Sequence, residues 1–273
     1  MKSTGGGRFF EPFRSLWRHR ELYRRVLLRD VQSSFRGSTL GLAWIVIIPL
    51  VLVAIYTFVF GAVLNSTWVT ATRSTFEVPL IFFTGLTVFG FFMEVIGRAP
   101  NYIRDNRIYV TKIIFPLDIL CWVLVGTALF KFCVNILLLL LFLAFLTGGI
   151  PTGMLLLPFL LVPFVLMTLG IAWVLAAVGA FVRDLSHILQ ALGPIIMFLS
   201  PVFYSVIQVP EIFRDLYYLN PLTFILENLR NLLFFGQIFS MQAYIIYFCV
   251  AAVVFTLGFV CFQKLRPGFA DVI

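Results

Sequence analysis

Long, uninterrupted apolar runs limit how this chain can fold more than any other feature of its sequence. Several runs reach the roughly 20 residues that a helix needs to cross a hydrocarbon core about 30 Å thick. They lack the apolar–polar alternation, in segments of about ten residues, that a membrane β-barrel requires. Charged residues make up only 12% of the chain, against about 25% in soluble domains. The sequence therefore predicts an all-α integral membrane protein.

The apolar runs predict six transmembrane helices within a membrane domain of residues 40–273, preceded by a cytoplasmic leader of residues 1–39. The approximate bounds of the spans are 40–64, 79–97, 117–146, 154–182, 188–206 and 243–262. Residues 207–241 also contain an apolar stretch, but Glu227 and Arg230 interrupt it. Polar groups at membrane depth need burial in protein. We therefore expect short re-entrant helices on the outer side, between the fifth and sixth spans.

Basic residues are distributed unevenly between the two sides that these spans create. Nine of the 20 Lys and Arg lie in the leader, and four more lie in a polar island at residues 98–116. Arg183, Lys264 and Arg266 bring the count on this side to 16, against three on the other. Cytoplasmic segments carry such an excess, so both termini are predicted to be cytoplasmic. The net charge of +8 thus reflects membrane topology, and we expect no nucleic-acid partner.

The leader contains an amphipathic pattern over residues 12–36. At 100° per residue its apolar face comprises Phe13, Leu16, Trp17, Tyr23, Leu27, Leu28, Val31 and Phe35. A basic stripe about 120° away comprises Arg14, Arg18, Arg25, Arg29 and Arg36. Such a helix lies in the membrane interface, in contact with lipid. The alternative is a solvated basic leader that only sets the topology.

Residues able to perform chemistry are sparse. The two histidines, His19 and His187, match no metal-binding or acyl-transfer motif, so we expect no metal site and no catalytic residue. The four cysteines fall within or beside apolar runs and form no CxxC pair, so packing is their simplest role. No GxxxxGK(S/T) phosphate-binding loop occurs anywhere in the chain. Any ATP-driven step therefore requires a separate ATPase chain.

Charged and aromatic residues inside the spans are candidates for a transport path, because ionisable groups within a membrane are costly. Glu94 lies near the inner end of the second span. Lys131 lies about 14 residues into the third span, or roughly 21 Å at 1.5 Å per residue. It either faces a polar path or pairs with a neighbouring helix. Aromatic rings can stack on sugars, and the channel candidates are Tyr56, Phe58, Phe60, Phe198, Phe203 and Tyr204.

Short motifs along the whole chain resemble those of ABC-2 type permeases, most closely the exporters of O-antigen and other polysaccharides. In the first half they are Arg29-Asp30, Phe35 to Gly41, Trp44, Pro49, Asn106, Lys112 and Phe115-Pro116. In the second half they are Arg183-Asp184, Ser200-Pro201, Asn220-Pro221, Arg230 and Phe269 to Asp271. Phe35 departs from the Tyr that the family often has, and Tyr109 lies in a stretch that is more often aliphatic.

This resemblance implies a transporter permease and not an enzyme. Permeases of the family work as homodimers with a separate ATPase subunit on each copy, so ATP and Mg²⁺ would be bound by the partner and no cofactor by this chain. The dimer forms a channel in the cytoplasmic (inner) membrane for a lipid-linked polysaccharide, typically carried on undecaprenyl pyrophosphate. The positions implied for ATPase coupling are Arg104, Asp105, Asn106, Arg107, Arg183 and Asp184. Since arginine suits phosphate, the candidates for the lipid pyrophosphate are Arg25, Arg29 and Arg36.

Three other interpretations fit part of the sequence. Within the same fold, the cargo would be teichoic acid, capsule, a drug or another lipid. In a different class, the chain would be an integral-membrane glycosyl- or acyltransferase, which predicts acids or histidines clustered at one membrane face. In the third, it is a binding or scaffold subunit without transport.

Overall fold

The computed structural model describes residues 9–33, 38–59, 77–111, 115–149 and 151–269, and every regular element in these ranges is helical. The first helices are α1 (Glu11–Arg18), α2 (Arg20–Ser33), α3 (Trp44–Tyr56), α4 (Glu77–Asp105), α5 (Arg107–Thr111) and α6 (Asp118–Thr147). The later ones are α7 (Leu157–Phe181), α8 (Leu185–Phe198), α9 (Glu211–Leu219), α10 (Pro221–Arg230) and α11 (Met241–Leu265). A π-helical turn at Asn231–Phe235 follows α10.

Five of these helices, with their flanking turns, are long and apolar enough to cross a membrane. They are Gly41–Val59, Glu77–Asp105, Asp118–Leu146, Thr152–Phe181 and Met241–Gly268. They match the predicted spans 1 to 4 and 6, although residues 60–64 of the first lie outside the described ranges. The predicted span 188–206 overlaps α8, an apolar helix of 14 residues, which is shorter than the roughly 20 residues of a full crossing. The all-helical membrane class is confirmed. A crossing at residues 188–206, the fifth predicted span, stays a prediction.

Helix α4 is longer than the span predicted at residues 79–97. It continues through Pro100 to Asp105, so the first half of the polar island extends the helix by about two turns. Only Asn106 separates α4 from α5. At Pro100 the helix packs tightly on α7, where a Cβ on Gly179 would lie 2.7 Å from the Pro100 carbonyl carbon. Most of the described part of the island is therefore an ordered helical extension of the bundle.

The leader forms two helices where one was predicted over residues 12–36. Residue His19 separates α1 from α2. Phe13 of α1 stacks on Phe255 of α11, with ring centroids 5.3 Å apart. Tyr23 of α2 packs against Gly126 of α6, where any added Cβ would collide with the tyrosine hydroxyl. Ten residues on one straight helix would turn these two side chains about 80° apart. The break at His19 allows both to face the bundle, so protein covers part of the face predicted to meet lipid.

Paired contacts show that α7 and α11 run parallel. Phe159 stacks on Tyr244 near the start of both helices, and Phe181 contacts Phe269 near the end of both. Helix α4 runs the same way, because its last turns pack on Gly179. The ends of these three helices, and the starts of α6 and α8, therefore gather at one end of the bundle, called here the island end. The described parts of the segments that the charge count assigned to one side lie at this end.

The parallel pair of α7 and α11 meets at two glycines. A Cβ on Gly170 would lie 2.7 Å from the backbone nitrogen of Phe255, and one on Gly258 would lie 2.7 Å from the carbonyl carbon of Gly170. Small residues allow helix backbones to approach closely in membranes. These glycines thus fix the helix pair on which the rest of the bundle is assembled.

At the opposite end, α9 and α10 form a helical hairpin with Asn220 at its turn. The Asn220 side chain caps α10 by accepting from Leu222 N at 2.9 Å, and it donates to Ser200 Oγ at 2.9 Å. Pro221 lines an apolar cavity of about 360 Å³ together with Phe92, which places the turn level with the middle of α4. The chain then returns to the end of the bundle opposite the island end, where Leu232 lies against Gly153.

Candidate functional site

A basic cavity lies at the island end, between the last turns of α4 and the first turns of α8. Its volume is about 450 Å³, and it is lined by Asn101, Arg104, Arg107, Arg183, Ser186, His187 and Gln190. Two polar segments that lie far apart in the sequence thus form one concave surface. Three guanidinium groups around one space favour an anionic occupant, because arginine presents several fixed donors to carboxylate or phosphate oxygens.

Arg104 is the most enclosed of these arginines. One of its terminal nitrogens, Nη2, donates to Asn101 Oδ1. The other, Nη1, is buried and has no hydrogen-bond partner within the described residues. A buried donor without an acceptor costs about 1–3 kcal/mol.

The predicted coupling residues divide between this cavity and its surroundings. Arg104, Arg107 and Arg183 line the cavity. Asp105 and Asp184 are exposed beside it. Asn106 faces the leader instead, as described below. His187, which matched no metal-binding or acyl-transfer motif, also lines the cavity.

A chain of ion pairs crosses from the leader to α6 near the same end. Asp30 Oδ2 accepts from Arg98 Nη2 at 3.1 Å and from Thr127 Oγ1 at 2.9 Å. Glu94 Oε1 accepts from Arg98 Nη1 at 3.4 Å and from Lys131 Nζ at 2.6 Å. The chain therefore links α2, α4 and α6 through alternating charges.

Lys131, a candidate for the transport path, belongs to this chain of ion pairs. It pairs with Glu94 of the neighbouring helix, which was one of its two predicted roles. The other role, in a transport path, stays a prediction. The leader contacts Thr127, which lies four residues before Lys131, or about 6 Å along the helix. Although Lys131 lies roughly 21 Å from the start of its span, it is therefore only about one helical turn from the point where the leader contacts α6. Asp30, which the sequence indicated only as part of a motif, is the residue that makes this connection.

Arg29 joins the leader to the polar island directly. Its Nη1 donates to the Tyr109 hydroxyl at 2.6 Å, and its guanidinium carbon lies 5.3 Å from the centre of the Tyr109 ring. Its Nη2 lies 3.5 Å from Asn106 Oδ1. Arg29, a candidate for binding the lipid pyrophosphate, therefore contacts Asn106, a candidate for ATPase coupling. Arg25 is exposed on α2, and Arg36 lies outside the described residues.

The aromatic channel candidates fall in two places. Tyr56 is partly buried and Phe58 is 65% exposed, both at the end of the first span, while Phe60 lies outside the described residues. The second group consists of Phe198, Phe203 and Tyr204. Phe203 contacts Phe82 of α4, and the Tyr204 hydroxyl donates to the carbonyl of Phe198 at 2.5 Å. Phe198 itself is 64% exposed. The second group thus lies at the hairpin end of the bundle.

Arg230 and Glu227 of α10 hold the loop that carries Phe203 and Tyr204. Arg230 is 2% exposed and donates to the carbonyls of Pro201, Val202, Tyr204 and Ile81. Glu227 accepts from the backbone nitrogen of Val206 at 3.2 Å. Burial lowers the pKa of Arg230 to about 10, and Glu227 opposes that shift, so the guanidinium stays protonated at neutral pH. The sequence did indicate that these two residues are unusual, because Glu227 and Arg230 interrupt an apolar stretch.

The transferase interpretation predicts acids or histidines clustered at one membrane face. Within the described ranges, no group of three or more His, Cys, Asp or Glu residues is placed to hold a metal ion. The groups that converge are arginines, a lysine and the carboxylates that pair with them. Their arrangement suits docking of an anion and fastening of helices to one another.

A bundle of long apolar helices with a basic cavity at one end has the architecture of a multi-pass membrane protein. The chain belongs to the ABC-2 type transporter family, whose pattern matches residues 21–234. An O-antigen export system permease protein RfbA of Myxococcus xanthus is 26% identical over 264 residues, covering 95% of this chain and 98% of the relative. A protein of the same name from Klebsiella pneumoniae is 26% identical over 251 residues, covering 90% and 92%.

Proposed function

We propose that this chain is the channel-forming subunit of an ATP-driven exporter, and that its cargo is an O-antigen type polysaccharide linked to undecaprenyl pyrophosphate. The observation that carries the proposal is the meeting of residues 101–107 and 183–190 around one basic cavity at the island end. That geometry suits the docking of a second protein, which a chain without a P-loop needs for ATP. The cargo is inferred from the names of relatives that match nearly the whole chain.

The proposed topology has six crossings in the cytoplasmic membrane, with both termini on the cytoplasmic side. The gathering of basic segments at the island end supports this orientation, since cytoplasmic segments carry the excess of Lys and Arg. Helix α8 and the loop after it make the fifth crossing. The hairpin of α9 and α10 re-enters from the outer side, and the depth of Pro221 beside Phe92 supports that placement.

The ATPase subunit is proposed to bind at the basic cavity. Arg104, Arg107 and Arg183 supply the contact, and the exposed Asp105 and Asp184 border it. Two ATPase copies serve a homodimer of this chain, and they hold the ATP and Mg²⁺. ATP-driven movement of the partner is passed to α4 through the island, because α4 and its extension are one continuous helix.

The transport path is proposed to form between two copies. Tyr56, Phe58, Phe198, Phe203 and Tyr204 are its candidate lining, together with Phe60, and their rings suit sugar faces. At the cytoplasmic entrance, the exposed Arg25 and Arg29 of α2 lie where an interfacial helix would meet the pyrophosphate of the carrier lipid, with Arg36 in the same stripe.

Deletion of this chain from its host tests the proposed function. Undecaprenyl-linked glycan should accumulate inside the cell while surface polysaccharide disappears, and a plasmid copy should restore export. A copy with Arg104→Glu, folded but impaired in ATPase docking, should fail to restore it. Unchanged surface polysaccharide in the deletion strain would refute the O-antigen assignment and direct attention to another lipid or glycan cargo.

A further inference from the structure

Two adjacent residues of α2 fasten the leader to the island end in different ways. Asp30 makes an ionic contact with Arg98, and its side chain is 13% exposed. Thr127 donates a second hydrogen bond to the same carboxylate oxygen. Arg29 is exposed, and its partners are the neutral hydroxyl of Tyr109 and the neutral amide of Asn106. The Asp30–Arg98 contact thus joins two charged groups and is largely enclosed. The Arg29 contact joins one charged group to neutral partners and is open to solvent.

These two contacts differ in how readily an outside group can replace them. A guanidinium bound to phosphate has opposite charges on the two partners and can form two parallel hydrogen bonds. The neutral Tyr109 hydroxyl accepts one hydrogen bond from Arg29, so phosphate is the better partner. Within the described residues no carboxylate pairs with Arg29. Arg25 lies one turn earlier on the same side of α2 and is also exposed. A phosphate held by Arg25 therefore has Arg29 within reach, whereas Arg98 already has two carboxylate partners.

The residue that Arg29 would release belongs to the middle of α5. Tyr109 lies in the five-residue helix Arg107–Thr111 and contacts Phe115, with ring centroids 4.5 Å apart. Arg107, two residues before Tyr109, lines the basic cavity. A change in the Arg29–Tyr109 contact is therefore transmitted over one short helix to the cavity.

We propose that a phosphate group at the membrane interface competes with Tyr109 for Arg29, and that this exchange frees α5 and activates the partner ATPase. The ligand class is a lipid head group whose phosphate gives it a net negative charge, as in phosphatidylglycerol or undecaprenyl pyrophosphate and unlike zwitterionic phosphatidylcholine. Asp30 keeps α2 attached to α4 throughout, so the leader stays in place while α5 is released. The switch rests on the proposed role of the basic cavity in ATPase docking.

ATP hydrolysis by the purified complex of this chain with its ATPase tests the switch. The complex is reconstituted in phosphatidylcholine vesicles alone, with added phosphatidylglycerol, with added undecaprenyl pyrophosphate, or with undecaprenol. The wild-type rate should rise with a phosphate lipid and not with undecaprenol. Tyr109→Ala should raise the rate in plain vesicles about 5-fold, the lower end of typical coupling between sites, and should abolish the further response. Tyr109→Phe, which keeps the ring without the hydroxyl, should lie between.

Arg24→Gln is the matched control, because it removes an exposed charge from α2 and leaves the Arg29–Tyr109 contact intact. Its lipid response should equal that of the wild type. A response to phosphatidylglycerol identifies bilayer head groups as the ligand, and a response to undecaprenyl pyrophosphate alone identifies the carrier lipid; both support the switch. An active complex whose Tyr109→Ala variant matches the wild type in every vesicle overturns it. Failure to recover any ATPase with this chain would instead refute the proposed docking role.

Discussion

Replacement of Arg230 by Met should destabilise the fold by about 3 kcal/mol or more, because loss of a buried hydrogen-bond network is among the substitutions with large effects. The side chain is 2% exposed and donates to four backbone carbonyls, with Pro201 O at 2.6 Å. Each buried carbonyl left without a donor costs about 1–3 kcal/mol. The two shortest contacts, to Pro201 and Val202, alone give about 2–6 kcal/mol on this basis. The two estimates agree.

Unfolding of the purified chain in mixed micelles by increasing sodium dodecyl sulfate, followed by tryptophan fluorescence, measures this effect. Arg230→Lys should recover part of the loss, because lysine keeps the charge but has three donors in place of five. Arg214→Met is the matched control. Arg214 also donates to two carbonyls, those of Val209 and Ile207, but its side chain is 34% exposed. Water can satisfy those carbonyls, so the cost should stay below about 1 kcal/mol.

Equal midpoints for Arg230→Met and Arg214→Met would refute the reasoning, since burial of the acceptors would then make no difference. A wild-type midpoint for Arg230→Met would show that water or another donor reaches the loop from Pro201 to Tyr204. Either result would remove Arg230 as the residue that holds the aromatic candidates at the hairpin end.

Three further substitutions test other parts of the structure. Arg104→Glu should abolish co-purification of the ATPase while the chain elutes normally from a sizing column, and normal co-purification would place the docking contact elsewhere. Gly170→Leu should greatly reduce folded yield, because its side chain meets the backbone of α11, whereas Gly90→Leu should express normally, since nothing lies within 4 Å of its Cβ. Lys131→Met should lower the free energy of unfolding by about 1–3 kcal/mol, because Glu94 loses one of its cationic partners. Adding Glu94→Leu should recover part of this stability in the same denaturation assay. A double variant no more stable than Lys131→Met alone would count against the pair.

Much of the architecture could be predicted from the sequence, because the membrane imposes its own length scale. Apolar runs of about 20 residues mark helices regardless of what they pack against, and five of the predicted spans coincide with long helices. The bias of Lys and Arg separated the segments that the structure gathers at the island end. The sequence also placed Arg104, Arg107 and Arg183 in one functional group, and they line one cavity.

What the sequence could not show are contacts that depend on how helices cross. Arg29 and Tyr109 lie 80 residues apart, and no local pattern pairs them. The sequence predicted that the second span ends at residue 97, because only polarity was visible there. The helix continues through Pro100 to Asp105, and it packs closely against Gly179.

The sequence by itself determined that this chain is a helical membrane protein and where its five long apolar helices lie. Tertiary structure alone decided that Lys131 pairs with Glu94, that the leader is fastened through Asp30, and that Arg230 binds backbone carbonyls. The physical reason is that hydrophobic length and net charge are sums over a segment. The partner of a single polar side chain instead depends on positions fixed within a few ångströms by helix packing, and backbone carbonyls carry no sequence signature at all.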